Sequence, residues 1–299
     1  MNRILSVFKE TAPLLKVAFT NWQDDKAPRM GAALAYYIAL SLAPSLLILL
    51  VIVEWVFGAQ TAAGRLVSQI RKLVGEQGAE AVRTMLGSAH RSYASASATL
   101  AGLVTVFFAA SAVVSELRDA MNTIWKIPED TGSGEIHDLL NLIEDRALSF
   151  ALVLASGLFL LVSLTVDAWI VAVRGYLDPG GWLPPAVIHL VDWSVSVVVI
   201  TSLFAFIFKV LPRVSLRWSD VLPGAIGTSL LFVTGKLLLG VYLGMASFAD
   251  TYGAAGSLVV VLVWVYYSAQ VLYLGAEVTR AYALRFGSML APDGARTNA

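Results

Sequence analysis

Six apolar runs, each closed by charges, proline or glycine, constrain this chain more than any other feature; they cover residues 31–57, 98–117, 147–173, 187–211, 219–243 and 253–279. A bilayer core about 30 Å thick is crossed by about 20 helical residues. Backbone polar groups at that depth must be satisfied within the segment itself, which leaves the α-helix as the fitting element for runs of this length. The expected fold class is therefore all-α, a polytopic membrane protein with six transmembrane helices. Composition agrees: 58% of the 299 residues are hydrophobic and 14% charged, whereas ordinary soluble domains are about one quarter charged.

Residues 1–30 carry Arg3, Lys9, Lys16, Lys26 and Arg29 but no continuous apolar core, so a cleavable leader is not expected. Ile4, Phe8, Leu15, Phe19 and Trp22 recur at helical spacing there, which predicts an amphipathic helix lying in the membrane interface. The first connecting loop carries Leu66, Ile70 and Leu73, then Val82, Met85 and Leu86, a pattern of short amphipathic helices on the outer face. Residues 1–285 form one membrane domain, and 286–299 read as a disordered cytoplasmic tail. With the N-terminus inside, fourteen Lys and Arg fall in inner segments, six in outer ones, and Lys236 within a span. That excess predicts both termini in the cytoplasm.

The same counts exclude several function classes. Net charge is +0, so no general basic surface is available for a nucleic-acid backbone. There is no cysteine, and His90, His137 and His189 lie far apart, without the close ligand spacing of a metal centre. No G-x-S-x-G elbow, P-loop or dinucleotide fingerprint occurs in a fitting context. No metal, cofactor, nucleic-acid partner or enzymatic activity is expected; membrane lipid is the expected partner, and homo-oligomerisation is compatible with the sequence.

Small residues mark helix contacts. Gly31, Ala35, Ala39 and Ala43 repeat every four residues on the first span, and Gly240 and Gly244 form a GxxxG pair on the fifth; both read as packing faces. Pro44 removes a backbone donor, and Ser41 and Ser45 are placed to bond the freed groups.

Ionisable groups inside a span face a partner or a hydrated cavity. Lys236 lies 16 residues beyond Asp220, roughly 24 Å along its helix at 1.5 Å per residue. Asp192, Asp167 and Glu54 reach a similar outer depth on three other spans, so a Lys236 ion pair with Asp167 or Asp192, or a polar cavity shared by the four, is expected. On the sixth span Tyr266, Gln270, Tyr273 and Glu277 follow at steps of four, three and four residues, one polar stripe leading to the inner face. Glu116 ends the second span at that face, and Arg118 and Arg280 are candidate cations for it. Interfacial tyrosines with a terminal salt bridge, or part of a pathway, both account for this stripe.

Four stretches carry a family resemblance: AALAYYIALSLAP (Ala32–Pro44), LRDAMNTIWKI (Leu117–Ile127), LPGAIGTSLLF (Leu222–Phe232) and YGAAGSLVVVLVWVYYSAQVLYLGAE (Tyr252–Glu277). From about residue 15 to 285 the chain resembles the YihY/BrkB family of bacterial inner-membrane proteins, once labelled ribonuclease BN. The resemblance implies a multi-pass inner-membrane location and a link to export of lipid-type molecules; it supplies no catalytic residues. Two functions follow as expectations, a carrier or flippase for a lipid or other amphiphile, and a non-catalytic membrane scaffold or envelope assembly factor.

Overall fold

In a computed structural model the described residues are 2–58, 64–68, 70–71, 76, 78–84, 112–127, 185–245, 256–287 and 289. They are helical apart from turns and short connections. The long helices are α1 (Asn2–Asp24), α2 (Ala27–Phe57), α3 (Pro185–Val210), α4 (Trp218–Met245) and α5 (Gly256–Arg285). Within α3, α4 and α5, the segments Trp193–Val210, Trp218–Leu243 and Leu258–Arg285 are long and apolar enough to cross a membrane. These correspond to the fourth, fifth and sixth predicted spans, and the first is the continuous 31-residue α2. The third, and the second as far as residue 111, lie outside the described residues.

Helix α5 is the hub, packing against α1, α2 and α4 and touching α3. Its contact with α2 follows from the small-residue stripe. Gly31 and Ala35 are buried, and a Cβ on Gly31 would strike the Gln270 side chain and touch Ala269. The helix also continues through Pro44. Ser41 donates to the Ile38 carbonyl at 3.0 Å, a back-bond within its own turn.

On its other side α5 meets α4 through a reciprocal arrangement. A Cβ on Gly224 would collide with Thr279, one on Gly275 with Thr228, and one on Gly235 with the Tyr267 ring. At Gly240 of the expected GxxxG face, no described residue lies within 4 Å of an added Cβ, so the partner of that face is not among the described residues. Farther along, Phe204 of α3, Phe232 of α4 and Trp264 of α5 make edge-on contacts, with centroids 5.6 and 5.5 Å apart. Thr201 and Ser229 hydroxyls join α3 to α4 at 2.7 Å.

Two boundaries differ from expectation. The helix ending the second predicted span runs over 112–124, past residue 117, because Ala120, Met121 and Ile124 are buried in the common core. It closes when Lys126 takes φ 53°, with the Ile127 amide donating to Asn122 O and the Lys126 amide to Thr123 O, each at 3.0 Å, a Schellman cap. After α5 the chain turns back, the Met289 amide reaching Ala283 O at 3.3 Å, and Met289 packs on the core. Most of the expected tail lies outside the described residues. In the first loop, helix is present at 64–68 and 78–84 with Leu66 and Val82 buried, as its periodicity predicts; Leu73, Met85 and Leu86 are not among the described residues.

Amphipathic α1 also has a different working face. Leu14 and Ala18 are buried against the bundle, while Leu15 and Phe19 of the predicted stripe are 56% and 49% exposed. Leu15 and Phe19 of the stripe therefore face outward, as an interfacial helix requires, while Trp22 turns in and packs against the core.

Candidate functional site

Three turns of polypeptide converge on one end of α5. The α1–α2 junction brings Asn21 and Asp25, the cap after 112–124 brings Lys126, and α5 supplies Tyr273, Glu277 and Arg280. Lys126 forms an ion pair with Asp25, and Asn122 Oδ1 accepts from the Arg213 amide of the α3–α4 connection at 3.4 Å. The junctions that the charge count assigns to one side of the membrane therefore meet at one end of the bundle.

Glu277 and Tyr273, one helical turn apart, are both fully buried. The Glu277 carboxylate faces Asp25 and Asn21, and Arg280 Nη1 stands 3.8 Å from its Oε2, longer than a hydrogen bond. Tyr273 faces Glu116 of the neighbouring helix, and Arg118 of that helix is buried. Among the described residues no hydrogen-bond partner reaches either Glu277 oxygen, Asp25 Oδ2 or the Tyr273 hydroxyl. A buried polar group left without a partner costs about 1–3 kcal/mol. Folded proteins tolerate several together chiefly where water, an ion or a functional role accounts for them.

Backbone strain collects here as well. Lys26, directly after Asp25, has φ 56°, and Lys126, its ion-pair partner, has φ 53°; both lie in the left-handed region that disfavours side chains other than glycine. They are the two non-glycine residues with positive φ among those described. Strain of this kind gathers at functional sites.

A groove of about 320 Å³ opens beside the cluster, between α1 and α5, lined by Leu14, Val17, Asn21, Arg280, Ala281, Leu284 and Arg285. Asn21 and Arg280 belong to both groove and cluster, so the cluster forms the groove's inner wall.

The predicted inner stripe is thus graded. Tyr266 is 38% exposed, Gln270 is half-buried against Gly31, and Tyr273 and Glu277 are sealed. The structure brings Glu116 to this stripe and adds Asn21, Asp25 and Lys126, none of which the sequence singles out as a site residue. Of the residues predicted at outer depth, Lys236 on α4 and Glu54 on α2 are half-buried. Asp167 and the side chain of Asp192 lie outside the described residues, and so does the pairing expected for Lys236. Among the described residues no three His, Asp or Glu side chains are placed to hold a metal ion.

A bundle of long apolar helices around a central α5 defines an integral membrane protein. The family described as virulence factor BrkB matches residues 18–298, and the chain belongs to it. A UPF0761 membrane protein of Stenotrophomonas maltophilia is 27% identical over 264 residues, 87% of this chain and 58% of that protein. Another from Rhodospirillum centenum is 24% identical over 283 residues, 93% of this chain and 59% of that protein. The ribonuclease-like protein YfkH of Bacillus subtilis is 22% identical over 270 residues, 88% of this chain and 93% of that protein. The chain thus spans under two thirds of these two UPF0761 relatives. No solved structure matches it.

Proposed function

We propose that this protein is a carrier for a lipid or other amphiphile in the bacterial inner membrane, taking its cargo at the groove between α1 and α5. The observation that carries this reading is the junction of groove and cluster: an open cleft bounded by Asn21 and Arg280, backed by the buried Glu277 carboxylate, neither oxygen of which has a hydrogen-bond partner among the described residues. A helix bundle serving only as a scaffold gains nothing from that arrangement. Lys236, Glu54, Asp167 and Asp192 supply the polar groups of the outer half of the path.

The test is lipid exchange in proteoliposomes containing the purified protein and a fluorescent phospholipid, followed by quenching of the outer leaflet. Wild type should exchange label faster than protein-free vesicles, and Glu277→Gln, nearly isosteric, should fold yet lose most of that rate. Exchange at the protein-free rate, or an unchanged rate in Glu277→Gln, would sink the carrier reading.

Both termini are placed in the cytoplasm, with the groove at the cytoplasmic leaflet. The support is the fourteen-to-six Lys and Arg bias and the meeting of the presumed inner junctions at one end of the bundle. Reporter fusions after residue 290 should be active in the cytoplasm; a periplasmic signal there reverses the topology. The scaffold reading draws on the outward face of α1, where Leu15 and Phe19 are each about half exposed, and it would prevail if exchange is absent in every reconstitution.

A further inference from the structure

The groove is specific about what it can hold. Of its seven lining residues two are arginines and none is acidic. Arg280 is held inward, its side chain only 16% exposed and its Nη1 3.8 Å from Glu277, while the Arg285 guanidinium sits 5.3 Å from the centroid of the Phe286 ring. Stacking and a distant carboxylate both orient a guanidinium and leave donors for a further acceptor. The planar fork of arginine matches phosphate oxygens in pairs.

The opposite walls are apolar. Val17 and Leu284, about half exposed, stand at the rim, and Leu14 is buried below them. Such walls offer nothing to a free anion but suit the hydrocarbon adjoining a headgroup. The volume of about 320 Å³ falls at the lower end of the roughly 300–1,000 Å³ common for small-ligand sites. It admits a headgroup and the first part of a chain, not a whole lipid. Outward-facing Leu15 and Phe19 set α1 at the interface, which brings the groove to headgroup depth.

We infer that this groove binds the phosphate of an anionic phospholipid through Arg280 and Arg285, with the start of an acyl chain against Val17 and Leu284. The inference rests on the carrier reading for the groove's role and names the ligand class of that site.

The experiment is lipid retention by the purified full chain, measured by native mass spectrometry after addition of phosphatidylglycerol or phosphatidylcholine, with inorganic phosphate as a separate arm. Wild type should retain phosphatidylglycerol over phosphatidylcholine by on the order of tenfold, since each basic group near an anionic lipid contributes a factor of several. Arg280→Gln with Arg285→Gln should remove the preference, whereas Lys16→Gln, on α1 but not in the groove lining, should keep it. Leu284→Glu, at a half-exposed position where folding is not at stake, should also abolish it. Equal retention of the two lipids by wild type, an unchanged preference in the arginine double variant or in Leu284→Glu, or competition by inorganic phosphate as effective as by the lipid would each overturn the inference. Retention without exchange in liposomes would end the carrier reading and leave this site standing. Exchange that survives in the arginine double variant would end this inference and leave the carrier.

Discussion

The two sides of α5 are built on opposite terms. Toward α4 the helix is closed: Thr228 donates to Gly224 O at 2.6 Å, Thr279 to Gly275 O at 2.8 Å, and Tyr267 to Leu231 O at 3.1 Å. Each hydroxyl is satisfied by a carbonyl of α4 or α5, while the side chain, oxygen included, fills the space opposite a glycine. Toward α1 and the helix over 112–124 it presents Glu277 and Tyr273, sealed yet without hydrogen-bond partners among the described residues. In lipid, helices associate by close van der Waals packing rather than by the hydrophobic effect, so the α4 face is the source of cohesion. The α1 face draws on that cohesion to hold polar groups in a costly arrangement, as functional sites do.

The largest expected effect tests the closed side. Gly275→Leu places a Cβ inside the Thr228 side chain, and overpacking of this kind costs about 3 kcal/mol, toward the upper end of its usual range. Thermal unfolding in detergent should show a clear drop, with partial recovery when Thr228→Ala is added, because the two residues share one contact. Gly240→Leu is the matched control: with nothing among the described residues near its Cβ, it should stay within about 0.5 kcal/mol of wild type. If the two leucines destabilise equally, the glycines act through the helix backbone and the closed face is no tighter than the rest.

Much of this comparison is legible in the sequence, though not its geometry. The apolar runs give α2 to α5 within a few residues of their ends, because length and charge boundaries are local properties. The Tyr266 to Glu277 stripe is legible for the same reason, as helical periodicity puts its members on neighbouring turns. Gly224-x-x-x-Thr228 and Gly275-x-x-x-Thr279 are equally visible, but spacing alone does not say which small-residue face meets another helix, so Gly240 and Gly244 drew the assignment instead. Asp25 and Lys126 carry no periodic signal. They read as loop charges because the meeting of an interfacial helix, a span terminus and α5 is tertiary, 101 residues apart in sequence. A hint lay in the LRDAMNTIWKI stretch, one of those that carry the family resemblance, which crosses a predicted boundary and ends with Lys126 and Ile127.

The smaller effect tests the open side, through its two strained lysines. Lys26 and Lys126 have nearly the same left-handed φ, 56° and 53°, and a side chain in that region costs roughly 1–2 kcal/mol. Glycine removes the cost but loses more freedom on folding, so Lys26→Gly should stabilise by up to about 1 kcal/mol. Lys126→Gly gains the same relief and loses the ion pair that covers Asp25, whose side chain is 6% exposed. Stripping a buried carboxylate of its partner is expensive, but the Lys126 side chain is 49% exposed, so solvent screens the pair and the loss is about 1–2 kcal/mol. Unfolding midpoints should therefore rise for Lys26→Gly and stay level or fall for Lys126→Gly, and in an Asp25→Asn background the gap between the two should close. Equal stabilisation by both glycines would mean that the Asp25 pair holds nothing in place, and that the strain at the C-terminal end of α5 belongs to the turns alone.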